Sequence, residues 1–171
     1  GKVLGADFGV ASNPEFLREG SAISDFMNPE RVVVGTEVAS ACQLLLRLYK
    51  PLADAGVPIF VTQRRTAELI KYASNSFLAA KIAFINEIAD LCEAVGADVR
   101  DLAAGIGLDS RIGAKFLNAG PGYGGSCFPK DTQAMIRMAH DAGTSSRIVE
   151  AVVAVNSAQK SRMVVKIREP L

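Results

Sequence analysis

The stretch with the most chemical potential runs Gly120-Pro121-Gly122-Tyr123-Gly124-Gly125-Ser126-Cys127-Phe128-Pro129-Lys130-Asp131. Four glycines within six positions let backbone approach a ligand closely and allow positive φ. Cys127 stands at the end of that loop, just ahead of a predicted helix start. A helix N-terminus with Lys130 beside it favours the thiolate, the form of cysteine that attacks carbon. Asp131, four residues on, is within reach as a proton acceptor or an orienter of water. A lone cysteine in a glycine turn is ordinarily an inert packing residue, and the neighbouring lysine and aspartate are what raise Cys127 above that.

Two further groups carry chemistry-bearing side chains. Lys71 and Asn75 are spaced i, i+4 on one predicted helix face. A lysine held against apolar helix surface can act as a base or stabilise an oxyanion, with the asparagine as a second donor. Alone, such a lysine reads as a solvated helix-edge residue. The run Asn13-Pro14-Glu15-Phe16-Leu17-Arg18-Glu19-Gly20 places two carboxylates at i, i+4. On a loop or first helical turn they would face one side, and one could serve as a general base. Its plain alternative is a helix start whose acids complement the dipole. Cys42 and Cys92 fall in helical patterns and read as packing residues. His140, near a helix end, reads as a C-terminal cation. Arg111 could bind a phosphate or sugar, though by itself it would be a surface arginine.

The composition narrows the chemistry. The chain has 171 residues, 49% of them hydrophobic, with a formal net charge of +1. That length suits about one domain with a real core, and the apolar content argues against disorder. So neutral a chain has no overall electrostatic reason to bind nucleic acid or an anionic membrane. No apolar run reaches the roughly 18 residues of a membrane span, and Gly1 to Val10 does not pattern as a secretory leader. One histidine excludes a histidine-rich metal site. Three cysteines with no CxxC fit free thiols in a reducing, cytoplasmic setting better than a disulfide scaffold. Gly1-Lys2-Val3-Leu4, with no initiator methionine, reads as the start of a segment of a longer protein.

The elements that must position these groups are mostly helical. A short strand is predicted near Phe8 to Ala11, followed by a loop. Arg31 to Gly35 is β-branched and ends in glycine, as a buried strand does. Thr36 opens a helical pattern that runs to about Lys50 and is stopped by Pro51. Val57 to Val61 is a second strand, giving the tail of a parallel α/β sheet. From Thr62 to Val95 there is neither proline nor glycine, so one helix of ~33 residues is expected, with Thr62 capping and Gly96 ending it. Its middle is apolar on nearly every side, which calls for burial all round and for a second subunit as part of the cover. A short helix follows from Asp98 to Ala104, then an irregular stretch from Gly105 to Lys130 with seven glycines. Long irregular stretches of this kind are usually functional. Asp131 to Ala142 is helical, and Ser145 or Ser146 caps a last helix to about Arg168 with a valine stripe. The fold class is therefore mostly α with a small α/β N-terminal part. Residues 1–62 form the end of a dinucleotide-binding domain, and residues 63–171 a central helical dimerisation and catalytic domain.

The three groups, in their order along the chain (13–20, then Lys71 and Asn75, then 124–131), resemble the nucleotide-sugar dehydrogenases, the UDP-glucose/GDP-mannose dehydrogenase family, over nearly the whole chain. Arg18-Glu19-Gly20-Ser21-Ala22-Ile23 and Arg111-Ile112-Gly113-x-Lys115-Phe116-Leu117 resemble its UDP-glucose branch, with the GDP-mannose branch as the nearest alternative. The resemblance implies NAD-dependent oxidation of the sugar C6 alcohol to a carboxylate, UDP-glucose to UDP-glucuronate. Cys127 would be the nucleophile, passing through a thiohemiacetal and a thioester. Lys71 and Asn75 would hold the oxyanion and a water, Asp131 would orient that water, and Glu15 would be the acid–base group with Glu19 in support. Substrate contacts would come from Phe16, Leu17, Glu19, Arg111, Phe116, Leu117, Tyr123 and Gly124, with Arg111 reaching a neighbouring subunit's sugar. Lys130 and Glu15 would meet the cofactor. The implied partners are a UDP-sugar and a second copy in a homodimer, with no nucleic acid or membrane.

The chain departs from the family's pattern in lacking an opening strand followed by a GxGxxG turn and in carrying Asn118 where many relatives have lysine. Alone it is expected to be inactive. Two other readings share parts of the pattern. A plain helical dimerisation module would need only the apolar helix. A β-hydroxyacid-type dehydrogenase shares Lys-x-x-x-Asn but needs no cysteine. A cysteine hydrolase lacks a partner histidine.

Overall fold

The computed structural model describes residues 1–168, which fall into two units, residues 1–71 and residues from 72 on. In the first unit the triple valine does what its type dictates. β1 (Val32–Gly35) is buried along its whole length and pairs in parallel with β2 (Ile59–Thr62), with Val32 opposite Ile59 and Gly35 opposite Thr62. The predicted strand at residues 8–11 does not form. Its place is taken by two isolated bridges, Leu4 with Phe8 and Ser12 with Gly35, the latter pair exchanging both backbone hydrogen bonds at 2.8 Å. Asn13 and Thr36 then tie residues 10–13 to β1, Asn13 Nδ2 donating to the Val33 carbonyl and Thr36 Oγ1 to the Val10 carbonyl, each at 2.7 Å.

Two helices in this unit differ from expectation. Ala22–Met27 is a short helix, α1, inside what sequence suggested was loop. Arg18 donates from its backbone N–H and guanidinium to Asp25 at 2.6–2.9 Å, anchoring α1 to the preceding segment. The helix expected to end at Pro51 is two: α2 (Ala39–Leu48) and α3 (Lys50–Asp54), with Pro51 in the first turn of α3. Proline lacks only an N–H that a first turn leaves unpaired anyway, so it starts a helix as readily as it stops one.

α4 (Arg64–Val95) is a single helix of 32 residues that begins in the first unit and continues through the second. Thr62 is the last residue of β2 and does not cap it. Glu37 does so from the sequence before α2, accepting the Arg64 N–H at 3.0 Å. Gly35 makes this junction possible: a Cβ there would fall on that of Ala67 and within 2.9 Å of Arg64 Cα.

The second unit adds α5 (Val99–Gly107), α6 (Cys127–Asp141) and α7 (Arg147–Arg168). Asp98 caps α5, accepting the N–H groups of Arg100 and Asp101. Ser146 precedes α7, but its buried hydroxyl has no hydrogen-bond partner, so the expected side-chain cap is not made. The core of the unit gathers Ala79, Ala83, Tyr123 and Val152, with Ile82, Phe128 and Val155 packed against them. Within the single chain α4 is covered on part of its surface, the rest being what the sequence left to a second subunit. Ala79, Ala83, Ile85 and Cys92 are buried, whereas Phe77, Phe84, Leu91 and Val95 are 69%, 51%, 56% and 68% exposed. No helix among the described residues is long and apolar enough to cross a membrane.

Candidate active site

The candidate residues form local clusters, each built by one or two elements. In the first unit, Pro14 to Arg18 lies in neither helix nor strand, so Glu15 and Glu19 are not held on a common helical face. Glu15 instead folds on itself and onto α4. Its Oε2 accepts the Leu17 N–H at 2.8 Å, and Lys71 Nζ donates to its carbonyl oxygen at 2.9 Å while forming an ion pair with its carboxylate. Lys71 is thus a seated ammonium, its side chain 17% exposed. Phe16 lies under Arg31, whose guanidinium carbon sits 4.1 Å from the ring centre. Such a cation–π contact fixes the ring's orientation.

In the second unit, α6 starts four residues earlier than its sequence pattern suggested. Cys127 is therefore its first residue, and Asp131 lies one turn on, on the same side. Ser126 precedes the helix with αR geometry and does not cap it through its side chain, its hydroxyl lying 3.6 Å from Cys127 Sγ. Thr132 ties the first turn together, its hydroxyl shared between the Phe128 and Pro129 carbonyls at 2.8 and 3.1 Å. Asp131 is 1% exposed. Its Oδ2 accepts from Asn75 Nδ2 at 2.6 Å, and its Oδ1 has no hydrogen-bond donor, the nearest cation being Lys130 Nζ at 3.6 Å. A buried carboxylate oxygen without a donor is a seat for water or for a proton in transit.

The glycine-rich loop mixes buried and open parts. Leu117 and Tyr123 are buried, and Phe116 and Tyr123 both set their rings edge-on to Phe128 at 6.2 and 6.0 Å. Phe116 has φ +67°, a conformation L-residues occupy at a cost that tends to mark functional segments. Burial pushes the Tyr123 hydroxyl above its ordinary range, against a smaller opposing effect of Thr132. Gly124 is exposed. Arg111 is committed locally: it donates to the Asp109 carboxylate at 2.5–3.2 Å, which holds that carboxyl below its usual range. His140 is exposed in the last turn of α6, and Cys92 is buried.

Sequence reasoning passed over three buried amides. Asn86, Asn156 and Gln159 are 2%, 6% and 7% exposed, and all three hydrogen-bond to the backbone of the glycine-rich loop. A signal was available. Asn156 and Gln159 continue the buried face of Val152 at i+4 and i+7, polar residues where helical periodicity asks for apolar ones.

Residues 65–158 match the family model described as the UDP-glucose/GDP-mannose dehydrogenase family, central domain, and residues 1–53 match the NAD binding domain of the same family. The chain belongs to the UDP-glucose/GDP-mannose dehydrogenase family. A UDP-glucose 6-dehydrogenase of Rhizobium meliloti is 59% identical over 92% of this chain and 37% of its own length. A solved UDP-glucose dehydrogenase from Pyrobaculum islandicum superposes with a TM-score of 0.85 at 49% identity, covering 89% of this chain and 34% of that one. A GDP-mannose dehydrogenase from Pseudomonas aeruginosa gives 0.61 at 36% identity, over 92% and 36%. The chain spans little more than a third of the length of such relatives.

The family's dinucleotide needs a glycine turn opening a helix to seat its pyrophosphate. In the first unit α1 opens on the single-glycine turn Glu19-Gly20-Ser21, with Gly20 at φ +82°, and no GxGxxG precedes a described helix there. The described residues of that unit therefore do not carry the GxGxxG seat for a pyrophosphate. Among the described residues no cluster of His, Cys, Asp and Glu could hold a metal ion.

Proposed function

We propose that this chain carries the thiol and carboxylate chemistry of a nucleotide-sugar dehydrogenase that converts UDP-glucose to UDP-glucuronate. The observation that carries this reading is the first two turns of α6. Cys127 opens the helix, and one turn on Asp131 is buried with one oxygen held by Asn75 and the other unsatisfied. Cys127 attacks the C6 carbonyl of the sugar aldehyde, forming a C–S bond while the carbonyl oxygen takes up negative charge. At the thioester stage, water held at Asp131 Oδ1 attacks the acyl carbon and the thiolate leaves. Lys71 and Asn75 are the donors for the oxyanions, and Glu15, with Glu19 in support, handles the proton of the attacking water. Phe16, Leu17, Phe116, Leu117, Tyr123 and Gly124 line the sugar path, largely through backbone groups, and Arg111 serves a neighbouring subunit. NAD supplies the hydride acceptor when bound; Lys130 and Glu15 would be this chain's contacts to it. The closer likeness to UDP-glucose enzymes than to the GDP-mannose enzyme supports the choice of sugar.

The division into a dinucleotide-domain tail, residues 1–62, and a central helical domain, residues 63–171, belongs to the same reading, as does a cytoplasmic setting. A second copy of the chain covers the open stripe of α4. Phe77, Phe84 and Leu91 recur every seven residues, the spacing of a helix that packs on another helix.

The test is a chimera of the Rhizobium meliloti relative in which this chain replaces the matching segment. The parent chimera is expected to form UDP-glucuronate, and Cys127→Ser to abolish it while UDP-glucose binding by calorimetry is kept. Undiminished UDP-glucuronate formation by Cys127→Ser would overturn the assignment.

A further inference from the structure

Gly120 and Tyr123 of the glycine-rich loop are held at both ends of their backbones by side chains from distant parts of the chain. Gly120 N–H donates to Asn86 Oδ1 at 2.7 Å, and the Gly120 carbonyl accepts from Gln159 Nε2 at 2.6 Å. Tyr123 N–H donates to Asn156 Oδ1 at 2.7 Å, and the Tyr123 carbonyl accepts from Asn156 Nδ2 at 3.1 Å. Arg162 donates to Gln159 Oε1 and is itself ion-paired with Asp90. A guanidinium on the oxygen end of an amide leaves only the NH2 end for the loop, so the direction of the Gln159–Gly120 bond is fixed by the Asp90–Arg162 pair.

From this geometry we propose that Asn86, Asn156 and Gln159 are positioning residues for Cys127, an inference that rests on the reading of Cys127 as nucleophile. The thiol needs such support for physical reasons. It sits on the first residue of α6, where a helix has fewest internal bonds. Ser126 gives that end no side-chain cap, and Pro129 contributes no N–H to the first turn. Upstream lie Gly124 and Gly125, the latter at φ +73°, so the backbone leading to the thiol is the kind that loses most entropy on ordering. Clamping Tyr123, four residues before Cys127, and Gly120 before it leaves only the two glycines and Ser126 to span between the clamp and the helix. Asn156 acts as a strand partner would, taking both backbone bonds of one residue, and Gly122 leaves it room: a Cβ there would lie 2.5 Å from Asn156 Oδ1.

Two variants test this. Gln159→Glu keeps the volume and the acceptor for Arg162 but removes the N–H that the Gly120 carbonyl takes, so the fold is retained while one loop bond is lost. Asn156→Ala removes both Tyr123 bonds. In the 171-residue chain, hydrogen exchange of peptides covering residues 118–126 is expected to rise for both variants. In the Rhizobium meliloti chimera, kcat is expected to fall by about tenfold to a hundredfold, the loss that a displacement near 1 Å causes. KM should change far less, and the melting temperature should fall less for Gln159→Glu, which loses one loop bond, than for Asn156→Ala, which loses two. Unchanged exchange would overturn the clamp. Raised exchange with kcat intact, in a chimera that Cys127→Ser inactivates, would overturn the positioning role and leave the nucleophile assignment standing. Activity surviving Cys127→Ser would remove that assignment and this inference with it.

Discussion

Gly122→Ala should be among the most damaging single-methyl additions in the second unit. Gly122 has φ +100°, which an alanine adopts only under strain, at a cost of about 1–3 kcal/mol. The added Cβ would lie 2.5 Å from Asn156 Oδ1 and 3.4 Å from its Cγ. To restore ordinary contact the amide must retreat by about 1 Å, which stretches its 2.7 Å bond from Tyr123 N–H beyond useful range. Asn156 is buried, so little water replaces the lost partner, and a stranded buried polar group costs about 1–3 kcal/mol. Strain and stranding together come to about 2–6 kcal/mol. For a chain of this size that is a fall in melting temperature of roughly 4–24 °C. The assay is thermal and urea unfolding followed by circular dichroism at the helix band. Gly105→Ala is the control: it lies within α5, a Cβ there meets nothing within 4 Å, and it should gain about 0.5–1 kcal/mol. A Gly122→Ala variant within about 0.5 kcal/mol of the parent, inside the range of neutral surface changes, would refute the reasoning.

Three other outcomes follow from single contacts. Asp98→Ala removes the cap that accepts Arg100 N–H at 2.6 Å and should cost about 1 kcal/mol in urea unfolding. The Asp25 carboxyl is held at about 2, below its ordinary 3.8, chiefly by the side-chain hydrogen bond from Arg18. A carboxyl lowered in the folded state stabilises above its unfolded value and loses that contribution as pH falls toward the folded one. The stability difference between the parent and Asp25→Asn should therefore be constant near neutrality and vanish as the pH drops through that window; a difference that persists in acid would deny the pair its role. Leu91→Lys places a charge in the open stripe of α4 and should shift sedimentation from dimer to monomer. A parent chain already monomeric at micromolar concentration would remove the second-copy cover.

Much of the secondary structure is written locally. Val32 to Val34 could only be a buried strand, and the absence of proline and glycine from residues 62 to 95 announced α4 to within two residues at its start. Boundaries failed where an end depends on a distant partner. α4 starts at Arg64 because Glu37, 27 positions earlier, supplies its cap. α6 starts at Cys127 because the clamped loop delivers the chain there already turned. Pro51 misled because its effect depends on which helical position it occupies, and that is set by Tyr49 ending α2.

The site divides along the same line. Residue type and spacing single out Cys127, Asp131, Lys71 and Asn75, since a thiol, a carboxylate and paired donors have few other uses in such company. What each side chain is bonded to was not legible. Glu15 and Glu19 looked paired on a loop or first helical turn, and the non-helical segment sends Glu15 to Lys71 instead. The amides that hold the loop were hidden for a different reason. Asn and Gln announce no chemistry, and their partners are backbone groups without sequence identity. Their one trace is the misfit of Asn156 and Gln159 on the buried face begun by Val152. A buried amide on an apolar stripe loses stability unless both its ends are satisfied, so its presence implies backbone elsewhere that needs holding. In this chain the backbone that needs holding is the loop that ends at the thiol.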